Sequence, residues 1–324
     1  MSLADELRGP RPRRALGRAI TLLESSRPED RAATDRLLEE LGPEPEERTL
    51  RIGVSGPPGV GKSTFVEALG LRLVGAGRRV AVLAVDPSSG LSGGSILGDK
   101  TRMERLGRHP EAYIRPTPSG GHAGGVGPAS RATVRLCEAA GYGTVVVETV
   151  GVGQGEWRVH GMTDVFVLLA QPAAGDDLQG IKRGILELAD LVVVNKTDRL
   201  PEAAAETARE LRSSLHLAPP RPDGWAVPVL EASALAGTGV DRVVAKLGEF
   251  AAASRRNGAF AHRRGAQRGE WLDELLRDRL AADLGRFLAG RREQTDGYRS
   301  LLDEHSSLPA AARVLLEDFY RSKT

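Results

Sequence analysis

The sequence is poor in cysteine and in aromatic residues. Cys137 is the only cysteine among 324 residues, and Phe, Trp and Tyr together make up 4% of the chain. One cysteine excludes an intrachain disulfide and a cysteine-rich metal site, and we expect a protein of the reducing cytoplasm. No stretch approaches the roughly 18 consecutive apolar residues of a membrane-spanning helix, so we expect no membrane partner.

An excess of charge of one sign is lacking as well. Lys and Arg number 45 and Asp and Glu number 43, which leaves a formal net charge of +2. Binding to a nucleic acid backbone requires clustered positive charge, and the basic residues here form no single large block. Nucleic acid is therefore not an expected partner.

A glycine-rich segment supplies the strongest motif in the chain. Residues 56–64 read GPPGVGKST, which matches the pattern G-x-x-x-x-G-K-[ST] at every specified position, between a β-branched segment and a helical pattern. Such a loop turns backbone N–H groups toward the β-phosphate, and the following helix adds its positive end. We expect Lys62 to bridge the β- and γ-phosphates and Ser63 to bind Mg²⁺. The expected nucleotide-binding residues here are Gly56, Pro57, Pro58, Gly59, Val60, Gly61, Lys62, Ser63 and Thr64.

Short apolar segments alternate with helical patterns from residue 50 to about residue 250. Strands of this composition are typical of a parallel sheet that is buried on both faces. The pattern predicts an α/β fold, a P-loop NTPase with a mostly parallel central sheet flanked by helices. Residues 86–127 are crowded with Gly, Ser, Pro and charge, which indicates a long functional loop. The predicted strands are 50–55, 80–85, 144–147, 165–169, 191–194 and 227–230.

A second motif predicts which base the nucleotide carries. Residues 195–198 read NKTD and follow a predicted strand. In an N-K-x-D loop the aspartate accepts hydrogen bonds from guanine N1–H and N2–H₂, which adenine does not offer. Sites that depend on buried hydrogen bonds discriminate by about 10⁴- to 10⁵-fold, so we expect GTP and GDP as ligands and not ATP. The residues expected to hold the base are Asn195, Lys196, Asp198, Ser233 and Ala234.

Residues 148–151 read ETVG, at the end of a predicted strand where common GTPases carry D-x-x-G. We expect the backbone N–H of Gly151 to bind the γ-phosphate, so that the following loop senses the nucleotide. Val152 follows, and the glutamine that positions water in Ras-like enzymes is thus missing from its usual place. The pattern predicts slow intrinsic hydrolysis that a partner accelerates.

Carboxylates near a triphosphate repel it unless Mg²⁺ or its waters lie between them. Asp86 and Glu148 end two strands that we predict to be neighbours, and with Ser63 they are the expected Mg²⁺ site. Asp99 lies in the long loop, where its spacing is equally consistent with a functional residue and with a solvated acid.

Taken together, these motifs resemble the MeaB/ArgK family of P-loop GTPases, whose animal mitochondrial relative is the methylmalonic aciduria type A protein. The resemblance implies a homodimeric GTPase that chaperones an adenosylcobalamin-dependent acyl-CoA mutase, above all methylmalonyl-CoA mutase. Such a chaperone gates cofactor loading and protects or reactivates the mutase. The resemblance also implies Lys62, Asp86, Asp99 and Glu148 as catalytic residues. Besides the phosphate loop and the NKTD loop, the matching segments are 86–89, 93–103, 148–154 and 175–182.

The helical patterns and the resemblance divide the chain into three parts. Residues 1–48 are predicted as an N-terminal extension of two helices, residues 49–254 as the P-loop GTPase domain, and residues 255–324 as a C-terminal helical dimerisation arm. An apolar stripe on the arm requires a partner surface, and the resemblance favours a second subunit. The stripe consists of Trp271, Leu275, Leu276, Leu280, Leu284, Phe287 and Leu288.

Three other functions fit parts of the pattern. An ArgK-type kinase or ATPase linked to amino-acid transport would use ATP, against which the NKTD loop argues. A metal-insertion GTPase shares the fold but usually carries Cys and His in its switch loops, and this chain offers one cysteine and scattered histidines. A non-catalytic interaction module would not require the intact phosphate loop.

Overall fold

A computed structural model describes residues 2–25, 27–43, 49–86, 103–118, 128–149, 155–172, 183–293 and 307–323. The chain forms two compact units, Met1–Gln267 and Arg268–Thr324. Among the described residues, no helix is both long and apolar enough to cross a membrane.

One sheet of seven parallel strands forms the centre of the first unit. Its spatial order is β3-β2-β4-β1-β5-β6-β7, and every neighbouring pair is parallel. This confirms the predicted P-loop NTPase architecture. The strands are β1 (Leu50–Ser55), β2 (Val80–Asp86), β3 (Ala112–Pro118), β4 (Thr144–Glu148), β5 (Val165–Ala170), β6 (Leu191–Val194) and β7 (Val229–Glu231).

Twelve helices lie in the described parts of the two units, and most of those in the first unit cover the sheet. They are α1 (Leu3–Arg8), α2 (Pro12–Leu23), α3 (Pro28–Leu41), α4 (Lys62–Gly75), α5 (Glu104–Gly107), α6 (Pro128–Ala139), α7 (Glu156–His160), α8 (Arg183–Leu188), α9 (Pro201–His216), α10 (Val240–Arg256), α11 (Ala259–Glu293) and α12 (Leu308–Arg321).

Each central strand contributes to two cores because successive side chains point to opposite faces. In β4, Val146 packs in the core that contains α4 and α10, whereas Val145 and Val147 pack in the core that contains α1, α2 and α6. Burial on both faces explains why these strands are almost continuously apolar.

Three helices precede the sheet, where the sequence predicted two. Their buried side chains share a core with α6 and with one face of the sheet. Arg135 on α6 donates to three carbonyl oxygens at the end of α3, those of Leu41, Gly42 and Pro43, at 3.0, 2.9 and 2.7 Å. A cation that binds the free carbonyls of a helix C-terminus also complements its negative end.

Strand β3 lies inside the segment that the sequence predicted as one long loop. It forms an edge of the sheet and pairs with β2 alone. Its sequence, AYIRPTP, contains two prolines, which cannot donate to a neighbouring strand and are tolerated mainly at sheet edges. The prolines and the charge conceal the strand from pattern reading.

Buried ion pairs join the amino edge of the sheet to the first turns of α11. Asp164 precedes β5, and its Oδ2 accepts from the backbone N–H of Arg51 on β1 at 2.8 Å. The Nε and Nη2 atoms of Arg264 donate to the two Asp164 oxygens at 2.7 Å each. The same arrangement recurs one strand further along, where Asp190 precedes β6 and accepts from the N–H of Phe166 at 2.8 Å and from Arg263 at 2.8 and 3.0 Å.

A third carboxylate completes this network, which we call the amino-edge network (Arg51, Glu138, Asp164, Asp190, Arg263 and Arg264). Arg51 donates to both Glu138 oxygens at 2.8 Å, and the Thr49 hydroxyl donates to one of them at 2.7 Å. Burial alone would raise the pKa of Glu138, but the hydrogen bonds and charge of Arg51 lower it. The carboxylate is therefore held ionised.

In the second unit, the end of α11 packs against α12. Phe287 and Phe319 meet edge to face with their ring centroids 5.6 Å apart, and Arg291 pairs with Asp318 at 2.5 Å. Leu272, Leu276 and Leu280 are each more than half exposed at a spacing of four residues. Leu276 and Leu280 belong to the predicted stripe, and Leu272 does not. The other predicted stripe residues are half-buried: Trp271, Leu275, Leu284, Phe287 and Leu288.

Candidate nucleotide site

The phosphate loop lies at the carboxyl edge of the sheet, between β1 and α4. From β1 the chain continues toward the β3 edge of the sheet to form β2, whereas from β4 it continues toward the β7 edge to form β5. Ligands of open α/β sheets bind at such a switch point, outside the carboxyl ends of the strands.

At two positions of the loop, the backbone conformation and the close approach of neighbouring atoms both require glycine. Gly56 has φ +156°, and a Cβ there would lie 2.6 Å from the carbonyl oxygen of Leu169. Gly61 has φ +92°, and a Cβ there would lie 2.9 Å from the side-chain nitrogen of Asn195. Helix α4 begins at the next residue without a side-chain cap. Its first N–H groups are therefore available to an anion.

Lys62 folds back over its own loop. Its Nζ donates to the carbonyl oxygens of Gly56 at 2.8 Å and Pro57 at 3.0 Å. Burial lowers the pKa of Lys62, and the charges of Glu148 and then Glu156 oppose that shift. The ammonium is therefore bonded to the phosphate loop itself.

The structure brings Ser63 and Glu148 together although 85 residues separate them. The Ser63 hydroxyl donates to Glu148 Oε1 at 2.8 Å, and Glu148 is buried at the end of β4. In the pairing of β2 with β4, Ala84 lies opposite Glu148, so Asp86 ends the adjacent strand as predicted. The Asp86 side chain, Asp99 and Gly151 lie outside the described residues.

The NKTD loop is bonded directly to the phosphate loop. Asn195 Nδ2 donates to the Val60 carbonyl at 2.9 Å, and the Lys196 ammonium donates to the Gly59 carbonyl. Asn195 Oδ1 in turn accepts from the backbone N–H of Ala234 at 3.0 Å. One asparagine thus connects the predicted phosphate, base and closing segments.

Asp198 and Ser233 meet at the same place, where the Ser233 hydroxyl donates to Asp198 Oδ1. Asp198 lines a cavity of about 220 Å³. Arg199 and Leu235 line this cavity and were not predicted; each is the direct neighbour of a predicted residue. The lining consists of Gly61, Thr64, Asn195, Lys196, Asp198, Arg199, Ala234 and Leu235.

Comparison with known proteins decides the family. The family model described as Methylmalonyl Co-A mutase-associated GTPase MeaB matches residues 16–286 of this chain. The chain belongs to the MeaB family. As a P-loop GTPase of this family it binds guanine nucleotide and hydrolyses GTP. The resemblance that the motifs indicated is confirmed.

Individual MeaB-like proteins are similar over most of their length. A Caulobacter vibrioides protein that is named a GTPase is 52% identical over 268 residues, covering 83% of this chain and 82% of the relative. A Mus musculus protein, the methylmalonic aciduria type A homolog, mitochondrial, is 42% identical over 317 residues, covering 95% of this chain and 76% of the relative. A crystal structure of an LAO/AO transport system kinase has 34% identity and a TM-score of 0.73, covering 98% of this chain and 96% of that one.

Proposed function

We propose that this GTPase is a chaperone of an adenosylcobalamin-dependent acyl-CoA mutase, with methylmalonyl-CoA mutase as the first candidate client. In this role it gates cofactor loading and protects or reactivates the mutase. The bonding of the NKTD loop to the phosphate loop through Asn195 is the observation that carries the guanine-nucleotide part. The description of the MeaB family and the name of the mouse relative support the mutase part.

The residues around the phosphate loop are suited to the proposed chemistry. Mg²⁺ prefers oxygen ligands, and Ser63 and Glu148 already place a hydroxyl and a carboxylate oxygen 2.8 Å apart. These two residues and Asp86 would hold Mg²⁺, which when bound neutralises charge on the β- and γ-phosphates. In this proposal Lys62 leaves the carbonyls of its own loop for the phosphate oxygens. The role proposed for Asp99, as a catalytic residue, rests on the family resemblance. The role proposed for Gly151, as a γ-phosphate contact, rests on its place in the ETVG segment at the end of a strand.

The base pocket is the second part of the proposed site. Asp198 accepts from guanine, Lys196 covers the base with its stem, and Ser233 and Ala234 close over the base. The Ser233 hydroxyl that now donates to Asp198 positions this carboxylate before guanine enters. Preorganisation of this kind lowers the cost of ordering the pocket on binding.

We further propose a cytoplasmic homodimer through the arm predicted at residues 255–324, with the contact beyond Gln267, because Arg263 and Arg264 bond to the sheet of their own chain. The exposed stripe of Leu272, Leu276 and Leu280 supports an apolar contact along α11. A second candidate function, kinase activity linked to transport, is favoured by the name of the similar crystal structure. The NKTD loop argues against it because a kinase of that kind would use ATP.

The decisive experiment measures nucleotide hydrolysis by the full chain, alone and with a purified adenosylcobalamin-dependent acyl-CoA mutase, with GTP and ATP in parallel. We expect slow GTP hydrolysis alone, strong acceleration by one mutase and no turnover of ATP. Lys62→Ala is the control that assigns the activity to this site, and it should abolish hydrolysis. Acceleration by no mutase would overturn the chaperone role, and equal use of ATP would favour the transport kinase.

A further inference from the structure

Glu156, the first residue of α7, is a buried carboxylate near the phosphate loop that has no role in the candidate nucleotide site. Glu156 is 5% exposed, and its Oε2 atom accepts no hydrogen bond from the described residues. A carboxylate oxygen buried without a hydrogen-bond partner is costly, because it has lost the water that solvated it. Such a group in a native protein calls for a specific explanation, for example a ligand or an ordered water.

The fold places Glu156 level with the start of the phosphate loop. It is the first residue of α7, which runs away from the carboxyl edge of the sheet toward the start of β5. One turn along, Val159 packs on β1, where a Cβ at Gly53 would lie 2.8 Å from Val159 Cγ1. Three helical residues rise about 4.5 Å and two strand residues about 6.6 Å. Glu156 therefore lies near the height of Ser55, where β1 passes into the loop.

The electrostatics of the site agree with this placement. Burial lowers the pKa of Lys62, and the charges of both Glu148 and Glu156 act against it. Both carboxylates thus favour the charged form of the same lysine. Glu148 Oε1 accepts from the Ser63 hydroxyl, and Glu156 Oε2 has no donor among the described residues.

The water-orienting glutamine of Ras-like GTPases is missing from its usual place in this sequence, and Glu156 is positioned to take over its role. In Ras-like GTPases a glutamine directly after the D-x-x-G glycine orients the attacking water, and this chain has Val152 there. Glu156 follows the same segment by four residues. A carboxylate can accept the hydrogen bond of a water molecule and can also take its proton.

We propose that Glu156 is a catalytic residue that binds the water molecule attacking the γ-phosphate. This inference rests on the proposed nucleotide chemistry of the site. The water oxygen forms a bond to the γ-phosphorus while the bond from that phosphorus to the β,γ-bridging oxygen breaks, and the electron pair stays on GDP. One proton of the water passes to Glu156 and then to inorganic phosphate, so the carboxylate returns unchanged.

A purely structural role predicts something else for this residue. An acid in the first turn of α7 interacts favourably with the helix, but a helix of five residues offers only a small gain. Removing the charge would then leave hydrolysis intact or would lower stability, nucleotide affinity and hydrolysis together. The two roles are separable by measuring these quantities side by side.

The test compares Glu156→Gln and Glu156→Asp with the unaltered full chain in single-turnover GTP hydrolysis. Binding of GDP and of a non-hydrolysable GTP analogue, and the thermal midpoint, are measured on the same samples. Glu187→Gln is the matched control, because it makes the same change at an exposed position on α8. We expect Glu156→Gln to slow hydrolysis about 100-fold, the lower end for a lost proton acceptor, with nucleotide Kd within about two-fold. Glu156→Asp should recover part of the rate, and Glu187→Gln should change nothing.

A rate for Glu156→Gln within two-fold of the unaltered chain would overturn the proposal. An equal loss of rate and of nucleotide affinity would also overturn it and would assign Glu156 a structural role. If the glutamine variant does not fold, Glu156→Asp decides, because a full rate with the shorter carboxylate would again exclude contact with the water. Absence of GTP hydrolysis in the unaltered chain, alone and with a mutase, would instead refute the proposed function on which this inference rests.

Discussion

At the amino edge of the sheet Asp164 and Asp190 each bind a backbone N–H of the neighbouring strand and an arginine of α11. At the carboxyl edge Lys62 binds carbonyls of its own loop, and Glu156 Oε2 accepts from no described donor. Both edges contain buried charge. The amino-edge carboxylates pair with arginines, although Arg264 Nη1 has no hydrogen-bond partner among the described residues, whereas Lys62 at the carboxyl edge bonds to backbone carbonyls of its own loop.

This difference suggests that the charges of the amino edge serve stability and those of the carboxyl edge serve nucleotide binding and turnover. Ion pairs between buried protein groups hold elements in place, and removing one partner leaves the other buried and uncompensated. Groups that bond weakly or to exchangeable partners contribute little to local stability. They are the groups that can bind a nucleotide instead. We therefore expect changes at the amino edge to affect unfolding and changes at the carboxyl edge to affect nucleotide binding and turnover.

The largest expected effect comes from Asp198→Asn at the carboxyl edge. The amide would present a donor toward guanine N1–H, so the affinity for GDP should fall by about 10⁴-fold and binding should shift toward xanthosine diphosphate. Calorimetric titration with both nucleotides measures this, together with the thermal midpoint, which should stay the same. Asp241→Asn, at an exposed position of α10, is the control, and unchanged GDP affinity in Asp198→Asn would refute the base assignment.

The next effect comes from Arg264→Met at the amino edge. It leaves Asp164 and Glu138 buried with less compensating charge, which should lower the free energy of unfolding by about 3 to 5 kcal/mol. Urea unfolding measures the loss, and Arg256→Met, at an exposed position of α10, should cost less than about 0.5 kcal/mol. The folded variant should bind GDP normally. A loss of GDP affinity without a loss of stability would contradict the division between the edges.

A smaller, pH-dependent effect is expected from His160. Burial, and then the charge of Arg263, lowers the pKa of His160 to about 4 from its ordinary 6.5. Between these values the unfolded chain binds a proton that the folded chain excludes, so stability falls as the pH drops through this window. At 1.36 kcal/mol per pKa unit the fall from pH 7 to pH 5 is about 2 kcal/mol.

His160→Gln should remove this part of the pH dependence, which urea unfolding at the two pH values measures. His216→Gln at an exposed position of α9 should leave the dependence unchanged. An identical pH dependence in His160→Gln and the unaltered chain would show that acid destabilisation arises elsewhere, for instance from carboxylates of the amino-edge network.

The smallest effect is expected from Gly53→Ala. Gly53 lies in the middle of β1, between the amino and carboxyl edges of the sheet, and faces α7. The added methyl group would lie 2.8 Å from Thr163 Oγ1 and Val159 Cγ1, so α7 must shift. We expect a cost of about 1 to 2 kcal/mol and slower GTP hydrolysis, because Glu156 moves with the helix. Gly248→Ala on α10 meets nothing within 4 Å and should stabilise the protein by about 0.5 to 1 kcal/mol. Faster or unchanged hydrolysis in Gly53→Ala would argue against a role for α7 in turnover.

Much of the sheet could be predicted because a parallel strand buried on both faces is visible in its own residues. The phosphate loop and the NKTD loop were recognisable for a related reason: their chemistry requires certain residue types at a fixed short spacing. Strand β3 was missed because an edge position tolerates Pro116 and Pro118, which a central strand would exclude. Arg199 and Leu235 were missed because no pattern distinguishes a cavity wall from an ordinary loop residue.

The sequence alone thus determined the P-loop architecture and the identity of the phosphate and base motifs, since these depend on residues that are close together in the chain. Tertiary structure alone decided which charges are paired. Arg264 and Asp164 are 100 residues apart in the sequence, and Arg51 and Glu138 are 87 residues apart. Their burial depends on strands and helices that no local pattern relates. The same holds for Glu156, whose burial follows from the packing of α7 on β1. Solvation and pairing of charge are properties of the assembled fold because they depend on every neighbour that excludes water.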